Sequence, residues 1–445
     1  MAPTFSSNPN VRSDSSIVRC SWLDAMLQSV PGGLTLAFDD RLDPEPLIHS
    51  LQTALESFPI VAGRLRLHNK KLIIDCKHQG ISTSIVEIDQ ELVEILNNLA
   101  AGKSDNICEI IIPRRALKGK SPLMTVRFNQ PKDRGTILGI GWHHSVGDMA
   151  TLMEFLSAWA SLSRDETFRK PIITLDRHTT FVESINGRGP AISSIRKMRG
   201  LELVRFLAYM LFRAKKQQAA NFYFSNAELN AMRKDLSEKA GQRLSKNDAL
   251  CAHLAANILP LDPLKRSHTL TLSVNWRPFL NMPAQLLGNF IGSISLPVAH
   301  HTDSAELAHR IRHSVDNSID AHLDYLANHE EMERGGGHSA ATKHISLGIN
   351  PMNGTLLITS WCGFGLPELK FQGHPCSNFH SIRPPIPWLS SIFEGPRHEG
   401  MCFSIFLPQA MGKSLKSAEN VDRVHKYRTI DDSIPPEISR LKAWL

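Results

Sequence analysis

No run of about 18 apolar residues occurs in the 445-residue chain, which leaves no candidate for a bilayer-spanning helix. The first twenty residues are polar and rich in Ser and Asn, without the apolar centre of a secretory signal. Cysteine is sparse: Cys20, Cys76, Cys108, Cys251, Cys362, Cys376 and Cys402 are dispersed, odd in number, and none forms a Cys-x-x-Cys pair. That usage reads as a reduced, intracellular protein and not a disulfide scaffold, and a cytoplasmic location is expected. Catalytic signatures are missing too. Without a Gly-x-Ser-x-Gly elbow, an α/β-hydrolase is disfavoured. Without a Gly-x-Gly-x-x-Gly after a strand, and without a P-loop, dinucleotide and nucleoside triphosphate readings lack their phosphate cradles. Zinc-finger spacing and RNA-binding signatures are absent, and the positive charge is scattered without aromatic interleaving, so nucleic acid is not an expected partner.

What is present is a soluble globular composition, 42% hydrophobic and 21% charged, with a mild formal net charge of +7 that suits an anionic small ligand. The length favours two domains, three at most. Residues 1–20 read as a loose tail. Helical spacing from Pro44 to Pro59 is followed by strands at Lys71–Asp75, Leu123–Arg127 and Gly135–His143. From 186 to 216 the chain turns first Gly- and Pro-containing, then basic, then apolar (Leu201 to Phe212). Because Glu202 and Arg205 interrupt the apolar run, the segment reads as a linker packed between domains and not as an amphipathic membrane-surface helix. A second half opens at Phe222, with a helix from Asn226 and another, N-capped near Ser245, through Ile258. Glu333–Ser339, with three consecutive glycines, reads as a flexible loop. Strands follow at Thr269–Arg277, Gly354–Trp361 and Met401–Leu407. Alternation places Thr269, Thr271, Ser273, Asn275 and Arg277 on one face. The fold class is α/β (α+β) in two similar-sized domains, 1–185 and 217–445, joined by 186–216.

The densest chemistry is at His144-Ser-Val-Gly-Asp148. The residues before it, Gly135–Trp142, read as a buried strand whose two glycines mark close approach by another backbone or by a ligand. After Asp148, the positions Met149, Leu152, Met153, Leu156 and Trp159 follow a helical period. An imidazole on such a strand-to-helix turn is a candidate general base. Taken alone the spacing is weak, since a buried histidine bonded to a carbonyl gives the same pattern. His143, His144 and Asp148 are also possible metal ligands, but adjacent histidines on a strand point to opposite faces and no His-x-x-His partner exists, so no metal is expected.

The surroundings add specificity. Ser21–Asp24, Leu51–Leu65 with its Ala62-Gly63-Arg64 turn, His143–Asp148 with Phe155 and Trp159, Leu244–Leu250, Val274–Arg277 with Gly288-Asn289, Thr359-Ser-Trp361 and Leu407–Met411 occur in that order. Together they resemble the BAHD acyl-CoA-dependent acyltransferases over nearly the whole chain. Two departures stand out. Leu369–Gly373 replaces the family's Asp-Phe-Gly-Trp-Gly hallmark, and Met149 stands where a glycine usually follows the aspartate.

The resemblance implies a fold related to chloramphenicol acetyltransferase, with a channel between two domains, in a monomer that inserts in no membrane. It implies acyl transfer, acetyl being the simplest case, from acyl-CoA to a hydroxyl of a small specialised metabolite, without a permanently bound cofactor. An amine acceptor, a carrier-protein donor and a non-catalytic metabolite binder are the alternatives. His144 would be the base. Asp148, paired with Arg277, would hold the turn that presents it. Thr359 and Trp361 would line the acyl and oxyanion site, and Ser245 and Lys246 would touch CoA phosphates.

Overall fold

A computed structural model describes residues 16–444 apart from 78, 104, 105, 214, 215, 383–385 and 443. The expected loose tail lies mostly outside these residues, but its end, Ile17–Arg19, is a strand paired antiparallel with Lys71–Asp75.

Two mixed sheets organise the molecule. The first runs Asn378–Ile382, Pro31–Phe38, Thr136–His143, Met124–Pro131, Ser82–Ile88. All its pairs are antiparallel except the last, Ser82–Ile88 with Met124–Pro131. Thr136–His143 is central and buried along its whole length, which its unbroken apolar run requires. The second runs Gln217–Phe224, Met401–Pro408, Leu389–Glu394, Thr355–Ser360, His268–Asn275, Ile291–Val298. Thr355–Ser360 pairs in parallel with both its neighbours. One strand of the first sheet, Asn378–Ile382, comes from late in the chain and lies in register with Gly33–Ala37.

Helices close each sheet. Pro44–Ser57 starts with a capping Asp43, whose carboxylate accepts from the Glu45 N–H at 3.1 Å, and has proline at its first turn. It packs on Met149–Leu162 through a Trp159 indole donating to the Leu47 carbonyl at 3.0 Å. Phe58 meets Phe155 edge to face. Over the second sheet, Asn226–Ala240, Lys246–Ile258 and Ser304–Asn317 bury Leu229, Leu254 and Leu307 in one core with Leu270, Ile294 and Leu356.

The two strand glycines are explained by backbone. A Cβ on Gly139 would stand 1.8 Å from the Ile107 carbonyl oxygen, and one on Gly141 would stand 2.2 Å from that of Glu109. The connecting segment crosses the sheet face there too closely for any side chain. The glycine-rich Glu333–Ser339 segment differs from its expected looseness. Its first two residues end the helix Tyr325–Arg334, and His338 is buried, accepting from the Leu72 N–H at 3.0 Å while its carbonyl accepts from Gln28. Glycine content marks conformational freedom of the free chain. Here two long-range hydrogen bonds spend that freedom.

Candidate active site

The buried strand Thr136–His143 ends in a tight turn. The Val146 N–H donates to the His143 carbonyl at 2.9 Å. Asp148 then caps Met149–Leu162, accepting from the Thr151 N–H at 3.1 Å. His144 stands between strand end and helix start and lines a cavity of ≈ 350 Å³. The walls come from both sheets: Leu34 and Trp142 from the first, Ser273, Asn275, Leu357 and Thr359 from the second. His143 is fully buried and is not among the lining residues; its Nδ1 accepts from the Ser145 N–H at 3.3 Å. No group of three or more metal-ligating side chains is gathered among the described residues.

Burial lowers the proton affinity of the His144 imidazole below its ordinary value, and the adjacent backbone, Asp148 and Asn289 offset this only in part. The neutral imidazole is therefore the form present at neutral pH, and that is the form able to accept a proton.

Two buried ion pairs grip the turn. In the first, Arg277 donates to both Asp148 oxygens, from Nη1 at 2.7 Å and from Nη2 at 3.1 Å. The Phe290 N–H adds a further donor at 3.0 Å, and the remaining Arg277 hydrogens go to the Leu286 and Gly288 carbonyls and to Asn275 Oδ1. Burial works against the Asp148 carboxylate, but the Arg277 charge and these hydrogen bonds outweigh it and hold its pKa below the usual range. In the second pair, Arg177 donates to Asp24 at 2.9 Å and to the carbonyls of Ser145 at 2.8 Å and Val146 at 2.6 Å. Asn289 joins the two sides, donating to Asp24 and to the His144 carbonyl, each at 2.7 Å. Gly288, at φ +145°, leaves no room for a Cβ, which would meet Arg177 Nε at 2.9 Å. The Gly-Asn pair thus admits one arginine and ties down the histidine backbone.

Thr359 and Trp361 both line the cavity across from the His144 turn's sheet. Thr359 belongs to the strand Thr355–Ser360, and the Trp361 ring packs edge to face on Phe379. Ser245 and Lys246 are elsewhere. Ser245 forms a capping box with Asp248 at the start of Lys246–Ile258, and the half-buried Lys246 donates to Asn226 at 2.9 Å. Neither is among the cavity's lining residues. Leu369–Gly373 holds the short strand Lys370–Phe371, and Phe371 is buried with its ring 4.7 Å from that of Trp159. Gln372 exchanges two 2.9 Å hydrogen bonds with the Asp43 backbone, so the segment fastens two helices of the first half.

Arg177 is the residue of the candidate site that sequence reasoning missed. It opens the helix Arg177–Ile185, and a lone arginine at a helix start carries no signal that it will be buried 30-odd positions from the turn it holds.

The comparisons with known proteins agree with this architecture. The chain is 22% identical over 389 residues to an acetyl-CoA-benzylalcohol acetyltransferase of Clarkia breweri, covering 82% of this chain and 84% of the relative. It is 31% identical to a rosmarinate synthase of Plectranthus scutellarioides over 152 residues, 34% of each. Among solved structures, F. sporotrichioides TRI101 complexed with coenzyme A and T-2 superposes with a TM-score of 0.69 at 16% identity, over 91% of this chain and 98% of that one. Vinorine synthase gives 0.67 at 18% identity, over 95% and 96%. These two likenesses establish the fold. A family model described as the Transferase family matches residues 34–387, most of the chain, and the protein therefore belongs to that family, the BAHD acyl-CoA-dependent acyltransferases of specialised metabolism.

Proposed function

We propose that this enzyme moves an acyl group, acetyl in the simplest case, from acyl-CoA to a hydroxyl of a small specialised metabolite. The observation that carries this reading is His144, neutral and facing a largely apolar cavity that two sheets enclose. Pockets of this size and lining take small ligands. Donor and acceptor would meet there in a ternary complex, in a channel between halves 1–185 and 217–445.

His144 would accept the acceptor's hydroxyl proton as its oxygen attacks the thioester carbonyl. The new C–O bond forms, the tetrahedral oxyanion collapses, the C–S bond breaks, and the imidazolium returns its proton to the departing CoA thiolate. Thr359 and Trp361 carry a hydroxyl and an indole N–H on the cavity wall, the donor types an oxyanion needs. Asp148 is proposed as a positioning residue. Its oxygens already receive Arg277, Thr151 and Phe290, an arrangement that supports holding the turn over relaying protons. Ser245 and Lys246 remain proposed contacts for the CoA phosphates, outside the cavity. The acetyl donor draws support from the Clarkia relative's acetyl-CoA use, and the CoA donor from the complex named for TRI101.

The test is turnover with acetyl-, malonyl-, medium-chain and aromatic acyl-CoAs against a panel of alcohols and amines. His144→Ala should lower kcat by about 10²–10⁴-fold with the fold intact. Unchanged turnover in that variant would remove His144 from the mechanism. Use of an acyl-carrier protein in place of free acyl-CoA would move the enzyme to condensation-type chemistry.

A further inference from the structure

The helix Gly200–Arg213 is built inside out compared with its neighbours. Leu201, Val204, Leu207, Leu211 and Phe212 are 71%, 61%, 51%, 65% and 73% exposed. At about 100° per residue these five, with Ala208 between them, occupy one continuous arc. Leu203, Phe206 and Met210 take the half-buried side. Tyr209 donates to the Pro351 carbonyl at 3.0 Å and fixes the helix against the protein. Ile192, 81% exposed, stands shortly before it. Soluble proteins seldom leave a contiguous apolar face of this kind uncovered unless something binds it.

Charge points to what binds. The positive charge is less even than it reads along the whole chain. Residues 188–216 hold Arg188, Arg196, Lys197, Arg199, Arg205, Arg213, Lys215 and Lys216 against Glu202 alone, a net +7 that equals the chain's total. Arg196 is paired with Glu202 and Arg188 with Asp320, whereas Arg199, Arg205 and Lys216 are exposed. A 14-residue helix is ~21 Å long, short of a ~30 Å hydrocarbon core, and no helix among the described residues is long and apolar enough to cross a membrane. An apolar arc with basic flanks on a short helix suits the interface plane of an anionic bilayer.

We propose that Gly200–Arg213 docks the enzyme on an anionic lipid surface. The contact with Pro351 gives the docking a consequence. Pro351, Asn350 and Ile349 line the catalytic cavity, so a docked helix sets the cavity rim beside the bilayer, and a lipophilic acceptor reaches the site from lipid. This consequence rests on the acyltransferase reading of the cavity. The docking itself does not.

The full chain should co-sediment with phosphatidylcholine vesicles that contain phosphatidylserine and not with phosphatidylcholine alone, and salt should weaken the binding. The double variant Val204→Glu/Leu211→Glu should lose about tenfold or more of that partitioning with thermal unfolding unchanged, because both side chains face solvent. Three results would overturn the proposal: no binding of the wild type to anionic vesicles, binding indifferent to the double variant, or a dimer in solution that the variant dissolves while vesicles are ignored. Vesicle binding with no turnover of any acyl-CoA would count against the catalytic reading alone.

Discussion

Arg177 and Arg277 both grip the His144 turn, one holding the Ser145 and Val146 carbonyls and the other the Asp148 carboxylate. Each guanidinium spends several donors at fixed angles, which a lysine's single ammonium cannot reproduce. Removing one partner of such a buried pair leaves a charge without compensation. Arg177→Met should therefore cost about 3–5 kcal/mol of stability, read by urea unfolding, and should lower kcat more than it raises KM because the His144 backbone loses its anchor. Wild-type stability and kcat in this variant would mean the pair is a bystander. At this scale the sequence was half legible. His144 and Asp148 lie within five residues and their strand and helix frame them, whereas Arg177 and Asp24 are 153 positions apart and meet only in the fold.

Among the elements, boundaries followed local chemistry. Lys71–Asp75 is a strand over the expected residues, and Ser245 and Asp148 cap helices because their side chains bond back to the third residue on. Glycine was more ambiguous. Gly139 and Gly141 pointed to a close approach by backbone or ligand, and only the packed structure names Ile107 and Glu109 as the cause. Gly139→Ala should destabilise the protein by about 3 kcal/mol or more, since a carbonyl oxygen cannot yield as a flexible side chain can. Gly32→Ala on the adjacent strand, where a Cβ would meet its nearest atom at 3.5 Å, should leave thermal unfolding nearly unchanged. Equal unfolding temperatures for the two variants would refute the crowding argument.

For the whole molecule, the buried histidines set the acid limit. Burial pushes His143, His253 and His380 down to about 4. In the unfolded chain each titrates near ~6.5. Between these values the unfolded state binds protons that the folded state refuses, so these groups' contribution is whole above ~6.5 and is lost as pH falls towards 4. Asp148, held below its usual range, adds acid lability only at still lower pH. The urea midpoint should fall steadily from pH 6.5 to 4, and a midpoint flat across that window would contradict the burial of these imidazoles. The same scale holds the least local strand pairing among the described residues, the return of Asn378–Ile382 to the first sheet beside Gly33–Ala37. Strand propensity cannot choose between two available sheet edges.

By itself the sequence determined the mixed α/β class, the strand-turn-helix that carries His144, and the ordered motifs that mark an acyltransferase, because periodicity, caps and motif spacing are short-range. Tertiary structure decided the rest. It drew Asp24, Arg177, Asn289 and Arg277 around one turn, opened the cavity between two sheets, and left the Gly200–Arg213 helix with its apolar face outward. Burial is a property of the assembled chain: the sequence of that helix reads as a packed linker, and only the neighbours it lacks turn it into a surface.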